Sequence, residues 1–545
     1  MATLGDVRTW NAEPLNTAVG ELNRRYDQLM GLADELAAAC QPSGWVGEAA
    51  YNAATSARKR TDRLEEQVAG VAAVRRAPAE SADAITALHH AVAEIDGLAR
   101  ANGLLVADDG ALVSQTWAGR VHDLDRVKAE LVDRIEQVLR RANAIDEDLT
   151  TVVNRARTSQ TLDGDADGLT GAAQAGTARG GLSVAGPPQG GSPSDNAGWW
   201  DTLSDMEKQR ITKEHPDWIG NLDGVPAAAR DAANRARLPG ERAALGRHLA
   251  EVEAKLREAG ERGGEFAELR EKTWRAELDK IKAKLESIDA LERILRTDNR
   301  HLLVVDMSGE RAKAAVSVGD VDTADHVAVY TPGMNSTVNG NLKDYVNDVE
   351  GLRNSSQLEL DRAGGGTVAT VAWLGYEPPN TSREILDAAS DARAREGANR
   401  LAPFLNGIDA SRENDAHLTA LGHSYGSLTT GIALQQKTGV DDAVVFGSPG
   451  LGTSDPGKIQ VAHGHLYNIE ADGDPVADLG DPLAHGADPS SLPIPQLSTH
   501  ETVTPDGRHL RASAGHSQYT WENTTSQYNM SLVVAGMNDR VIPGR

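Results

Sequence analysis

Cysteine is almost absent: Cys40 stands alone in 545 residues. That excludes an intrachain disulfide, a cysteine-rich zinc site and a secreted disulfide scaffold. Long apolar runs are missing too, and none approaches the ~18 residues that read as a membrane span. The opening text MATLGDVRTWNAEPL has no basic segment followed by an apolar core, so no signal peptide is expected. Positive charge is in deficit, with Lys+Arg 55 against Asp+Glu 80 and a net charge of -25. This disfavours nucleic acid, anionic lipid and polyanionic substrates as partners. What remains is a multidomain chain, roughly three or four domains by length, with the cytoplasm as the default location.

Residues 1–158 read as an all-helical bundle. Leu15, Val19, Leu22, Tyr26, Leu29, Ala33, Leu36 and Cys40 alternate spacings of four and three, the seam of an amphipathic helix that needs a partner. Pro42 and Gly44 interrupt it at a turn carrying Trp45-Val46-Gly47, after which Ala57, Leu64, Val68 and Val71 resume a helical stripe. A further stripe runs from Leu124 through Leu131 and Val138 to Leu149, and LLVADDGALV (104–113) reads as a hairpin around Asp109-Gly110. Residues 159–198 shift to Gly, Ser, Ala, Pro and Asp with no apolar period, the composition of a flexible linker. Residues 199–298 read as a helical lead-in or cap ending in two long charged helices, roughly 225–260 and 265–297.

After residue 299 the period changes. HLLVVD, KAAVSVG, HVAVY, TVATVAW, HLTALG, DAVVFG and HLYNIE are short β-rich runs, separated from the third onward by longer, partly helical segments. The expectation for 299–545 is an α/β domain with a mainly parallel sheet covered by helices, whose functional residues sit beyond the carboxyl ends of strands.

The strongest chemical signal is LTALGHSYGSL at 418–428. A Gly-x-Ser-x-Gly pattern alone is weak, because a chain with 54 glycines carries one by chance at roughly 0.3 per chain. Its context adds weight: Ser424 directly follows a buried strand and directly precedes a helix, where Gly422 and Gly426 let backbones crowd past a strained serine. A serine capping its helix is the alternative. A serine nucleophile needs a histidine base and an orienting acid, in the chain order Ser, acid, His. NIEADGDPVADLG follows a strand and offers Asp472, Asp474 and Asp478; Asp474 is the assignment, presented by Gly473 and Pro475, with Asp472 as runner-up. Among the downstream histidines, His463 and His465 break the order, His485 and His500 lie in Pro-rich loop text and His509 in a strand. His516 in ASAGHSQYTW therefore takes the base position. The oxyanion hole is expected from the Tyr425 N–H and a second N–H in VYTPGMNST, that of Gly333 or Met334, with Met334 assigned. No metal or cofactor is required. DGDADG (163–168) begins like a calcium loop, but Gln174 stands where a bidentate Glu belongs.

VSVGDVDTADHVAVYTPGMNS, VAWLGYEPP (371–379), LTALGHSYGS, VFGSPG (445–450) and AGHSQY (514–519) resemble an actinobacterial family of α/β-hydrolases catalogued as a domain of unknown function. WWDTLSDMEKQ and HPDWIGNLDGVPAAARDAANRA resemble that family's helical lead-in. The resemblance implies the α/β-hydrolase fold and carries Ser424, Asp474 and His516 onto a catalytic triad. The expected activity is cleavage of a small-molecule or lipid acyl ester, with the acyl chain left open. Trp45-Val46-Gly47 between two helices is similar to the Trp-x-Gly hairpin proteins of type VII secretion, although the chain has no Tyr-x-x-x-Asp/Glu signal after the second helix. The alternative function is accordingly an exported effector, or a protein that binds a helical partner through its N-terminal bundle and keeps the hydrolase fold as payload or inactive scaffold.

Overall fold

The computed structural model describes residues 1–39, 46–114, 124–162, 166–262, 267–380, 390–462, 464–477 and 485–544. The chain divides into two compact units, one of Met1–Gly191 with Gly198–Gln209, the other of Ser192–Ala197 with Arg210–Arg545. Among the described residues, no helix is long and apolar enough to cross a membrane.

The first unit is helical. α1 (Leu4–Thr9) starts at a capping box, in which the Thr3 side chain takes the Asp6 N–H and Asp6 takes the Thr3 N–H. α2 (Glu13–Ala39) is followed by α3 (Glu48–Ala101), which continues unbroken through Pro78. A hairpin of β1 (Leu104–Val106) and β2 (Leu112–Ser114) turns at Gly110, φ 85°, and leads toward α4 (Leu124–Arg157). Val127, Leu131, Ile135, Val138, Ala142 and Ile145, one stripe of α4, are buried with Leu88, Val92 and Ile95 of α3 and with Leu4 and Val7 of α1.

The stretch expected to be a flexible linker differs from that reading: Gly168–Arg179 forms α5, packed on α3 with Ala172, Ala173 and Gly176 buried. The physical reason is close approach. A Cβ on Gly176 would lie 2.1 Å from the Ala69 carbonyl oxygen, and one on Gly180 2.3 Å from that of Ala73. Small residues that carry no apolar period still bury a helix when they let its backbone nest against another. Cys40, Trp45 and Asp163, with the Trp-x-Gly and calcium-loop readings that rest on the latter two, lie outside the described residues.

Three short helices follow in the chain, α6 (Pro193–Asp201), α7 (Asp205–Glu214) and α8 (Pro216–Ile219), then a long pair, α9 (Ala227–Arg262) and α10 (Ala267–Ile294). The sheet takes β3 (Arg300–Asp306), β4 (Lys313–Val318), β5 (His326–Thr331), β6 (Val368–Leu374), β7 (His417–His423), β8 (Asp442–Phe446), β9 (Leu466–Ile469) and β10 (Gln496–Leu497) in the order β10-β9-β8-β7-β5-β6-β4-β3. Only β4 runs against its neighbours; every other pairing inward of it is parallel. β4, β6 and β8 are buried along their whole length, as strands covered on both faces must be. α11 (Leu342–Ala363) packs beside α14 (Thr525–Val534), and α12 (Ala392–Ala410) beside α13 (Tyr425–Ala433). A hairpin of β11 (Thr502–Val503) and β12 (His509–Leu510) precedes α14.

The lead-in has a structural task at the edge of this sheet. Asp231 of α9 accepts the Leu302 N–H at 2.6 Å, Asn234 donates to the Leu302 carbonyl and Arg230 to the Leu303 carbonyl, while Asn221 pairs both the N–H and the C=O of Val305. Side chains thus satisfy the open edge of β3, which would otherwise be a template for aggregation.

Candidate active site

Ser424 stands between the last residue of β7 and the first of α13 with φ 55° and ψ -134°, a conformation costly for any residue with a Cβ. Its N–H donates to the Phe446 carbonyl at 3.1 Å, and its carbonyl receives both the Ser427 N–H at 2.9 Å and the Ser427 hydroxyl at 2.6 Å. The flanking glycines are sterically required. A Cβ on Gly422 would lie 2.6 Å from Ser427 Cα, and one on Gly426 2.2 Å from the Thr331 carbonyl oxygen. This is the strand-to-helix turn expected, with the serine 3 % exposed.

The loop after β5 lies against the serine: a Cβ on Gly333 would be 2.5 Å from Ser424 Cβ and 2.8 Å from its Oγ. The loop's carbonyls are turned to other partners. Tyr376 donates to the Pro332 carbonyl at 2.7 Å, and Ser336 donates to the Gly333 carbonyl at 2.7 Å while bonded to the Tyr345 hydroxyl. Asn335, at φ 61°, donates its N–H to the Pro379 carbonyl. The N–H groups of Gly333 and Met334 have no acceptor among the described residues. Tyr425 opens α13, and first-turn amides have no acceptor within their own helix. Its side chain is fixed by donating to the Ser390 carbonyl at 2.7 Å.

His516 Nδ1 meets both oxygens of Asp474, at 2.9 and 3.0 Å. Asp474 is 2 % exposed and also accepts from the Tyr519 hydroxyl at 2.6 Å and the Val476 N–H at 2.9 Å. Burial pushes this carboxyl upward, but the bonds from His516, Tyr519 and Val476 outweigh it and hold it at about 2. Tyr519 is itself pinned, since its oxygen accepts the Ala471 N–H at 2.9 Å. The runner-up acid is elsewhere: the Asp472 side chain is 83 % exposed and lies 3.4 Å from His500. His463 and Asp478 lie outside the described residues.

Strand register brings the two halves together. His423 pairs with Phe446, so Ser424 falls beside Gly447, and a Cβ on Gly447 would be 2.8 Å from Asp474 Oδ2 and 3.1 Å from His516 Nδ1. The Ser424 hydroxyl forms no hydrogen bond among the described residues, so the contact to His516 is open in this state.

His423 is the residue that sequence reasoning passed over, because the position before the serine reads as a wildcard. Its Nε2–H donates to the His516 carbonyl at 2.9 Å, and its ring lies 4.7 Å from that of His516 and stacks on Phe446 at 5.1 Å. Burial, reinforced by the neighbouring His516 charge, depresses His423 to about 4, so it is neutral near pH 7. The described residues contain no cluster of His, Cys, Asp and Glu able to hold a metal ion.

Comparison with known proteins places this geometry in context. Residues 308–485 match a family described as alpha/beta hydrolase. An uncharacterized protein of Mycobacterium tuberculosis is 35% identical over 246 residues, covering 43% of this chain and 90% of the relative. A second uncharacterized protein of that species is 31% identical over 311 residues, covering 54% of this chain and 45% of the relative. Among solved structures, the monoclinic form of a Pyrobaculum calidifontis esterase is similar over 48% of this chain and 92% of its own, at 12% identity and a TM-score of 0.27.

Proposed function

The chain belongs to the alpha/beta hydrolase family shared with these mycobacterial proteins, and on that premise we propose that it is a serine hydrolase cleaving an ester or related acyl bond. Ser424 is the nucleophile, His516 the general base, Asp474 the acid that orients it, and the N–H groups of Tyr425 and Met334 the oxyanion donors. The observation that carries the reading is the bond between His516 and the buried Asp474 carboxylate, at the strand end beside a serine on a strained elbow.

The chemistry follows from the hydrogen bonds. Asp474 engages Nδ1–H, which leaves Nε2 unprotonated and free to take the hydroxyl proton as Ser424 Oγ attacks the acyl carbon. The carbonyl oxygen becomes an oxyanion facing the two amides, and fixed dipoles of this kind stabilise charge without reorganising. The imidazolium then returns its proton to the departing alkoxide, the C–O bond breaks and an acyl-serine remains. Water, deprotonated by the same imidazole, repeats the cycle, releasing the carboxylic acid and restoring Ser424. Catalytic hydrogen bonds often tighten only with substrate in place, which accommodates the open Ser424 hydroxyl.

The test is turnover of a short-chain p-nitrophenyl ester by the wild type and Ser424→Ala. The expected loss is roughly 10⁴- to 10⁶-fold with folding intact, together with loss of fluorophosphonate labelling. An unchanged rate would remove the proposal.

A further inference from the structure

A cavity of about 340 Å3 opens between α11 and the segment that follows His516. Both walls continue elements of the candidate active site. α11 follows the Gly333–Met334 loop and is tied back to it through Tyr345 and Ser336, and Thr520, Trp521 and Glu522 come four to six residues after His516. Asn347 and Asp348 line the α11 side, and Arg511, Trp521 and Glu522 face them.

The lining is chemically specific. Trp521 is 49% exposed and is the cavity's aromatic surface. The Arg511 guanidinium has one hydrogen bond among the described residues, to the Glu522 backbone carbonyl at 2.8 Å, and neither carboxylate forms an ion pair with it. The Glu522 carboxylate and the Asn347 amide nitrogen have no partner among the described residues. Asp348 is bonded to Thr520, and burial raises it to about 6. Opposite charges that line one cavity without pairing present separate donors and acceptors to whatever lies between them. Two carboxylates against one guanidinium disfavour an anion, and polar walls disfavour an acyl chain. An indole face bordered by carboxylates, an amide and a guanidinium suits a ring with an apolar C–H face and several hydroxyls. The volume lies at the low end of small-molecule sites, roughly 300–1,000 Å3.

We propose that this cavity binds a neutral sugar ring, the alcohol portion of the ester that Ser424 cleaves, so that the substrate is an O-acyl carbohydrate. The assignment of substrate rests on the serine-hydrolase reading, whereas the binding of sugar does not. Ser424→Ala protein is titrated with the methyl glycosides of glucose, galactose, mannose and arabinose, following tryptophan fluorescence and calorimetry. At least one glycoside binds, at roughly millimolar affinity. Trp521→Ala weakens it about tenfold, the size of one lost aromatic contact, and Gly351→Leu abolishes it, because a side chain there projects between Gln527 and Glu522. Binding of none of the four, or binding untouched by both substitutions, overturns the proposal. With wild-type Ser424, Trp521→Ala raises KM for the acetyl ester of the bound sugar about tenfold with kcat changed less than about twofold, and the free methyl glycoside inhibits cleavage of that ester competitively; an unchanged KM, or no competition, refutes the substrate assignment. If sugar binds while Ser424→Ala keeps full esterase activity, the catalytic reading fails and the sugar site stands.

Discussion

Replacing His423 by Phe removes a titrating group from under the candidate base while keeping an aromatic ring against Phe446. His423 is held at about 4 against an ordinary value of 6.5, chiefly by burial and then by the adjacent His516, with Asp474 and the bond to the His516 carbonyl pulling the other way. Tyr330 and Tyr519 complete its ionisable surroundings. Because the folded value is depressed, the unfolded chain binds the extra proton between about pH 6.5 and 4. Stability from this site is therefore full above 6.5 and is lost as the pH falls toward 4. At pH 7 the effect is small; at pH 5 the unfolded state has taken up nearly one proton and the folded state almost none, which amounts to about 2 kcal/mol. A chain of two units need not unfold in a single step, so hydrogen exchange at the amides of β5 and β7 is the suitable assay. After correction for intrinsic exchange, the wild type should lose roughly twentyfold more protection than His423→Phe between pH 7 and 5. Equal losses in the two proteins would show that His423 is not held neutral by the fold.

The remaining predictions concern the acid and the glycines. Asp474→Asn should lower kcat/KM roughly 10³- to 10⁴-fold by removing the group that sets the His516 tautomer, and Asp472→Asn should change it less than about twofold, since an exposed carboxylate contributes little. The reverse order, read from steady-state rates on one ester, would move the acid to Asp472. Gly426→Ala places a methyl 2.2 Å from the Thr331 carbonyl oxygen and 2.6 Å from that of Pro332, both backbone atoms. It should cost 3 kcal/mol or more, in the range of overpacked cores. Gly97→Ala, in α3 with nothing within 4 Å of its new methyl, should stabilise the helical unit by about 0.5–1 kcal/mol. Thermal melts that rank these two glycines the other way would refute the steric argument.

Much of the sheet was legible because buried parallel strands write themselves as continuous apolar runs: KAAVSV, VATVAWL and DAVVF are the strands β4, β6 and β8. The elbow was legible for a related reason, since an apolar run, two glycines and a helical segment leave a serine few other places to be. Asp474 and His516 were assigned from chain order and turn chemistry, and the structure brings their side chains together. β10 was invisible because two residues in Pro-rich text have no period, and only pairing with β9 makes them a strand. α5 was read as linker because glycine and alanine lack hydrophobic pattern, although they pack closely. The Trp521 cavity draws on segments more than 160 residues apart, Asn347 and Arg511, which no local pattern connects.

One short stretch, Phe446-Gly447-Ser448, explains how so strained a serine is held at the strand end where Asp474 and His516 also rest. The Phe446 carbonyl takes the Ser424 N–H, the Ser424 carbonyl takes both the N–H and the hydroxyl of Ser427, and the Ser427 oxygen in turn lies 2.7 Å from the Ser448 hydroxyl. The backbone cost of the serine's conformation, about 1–3 kcal/mol, is thus met by three hydrogen bonds of roughly 1 kcal/mol each. Gly447, at φ 52°, turns the chain between these anchors. It is also the surface on which Asp474 and His516 rest, since any Cβ would collide with the carboxylate. The end of β8 therefore sets two geometries at once, the strained turn at the serine and the floor beneath its proposed base. A substitution at Gly447 should disturb both together, whereas a change at Tyr519 or Asp474 reaches only the base.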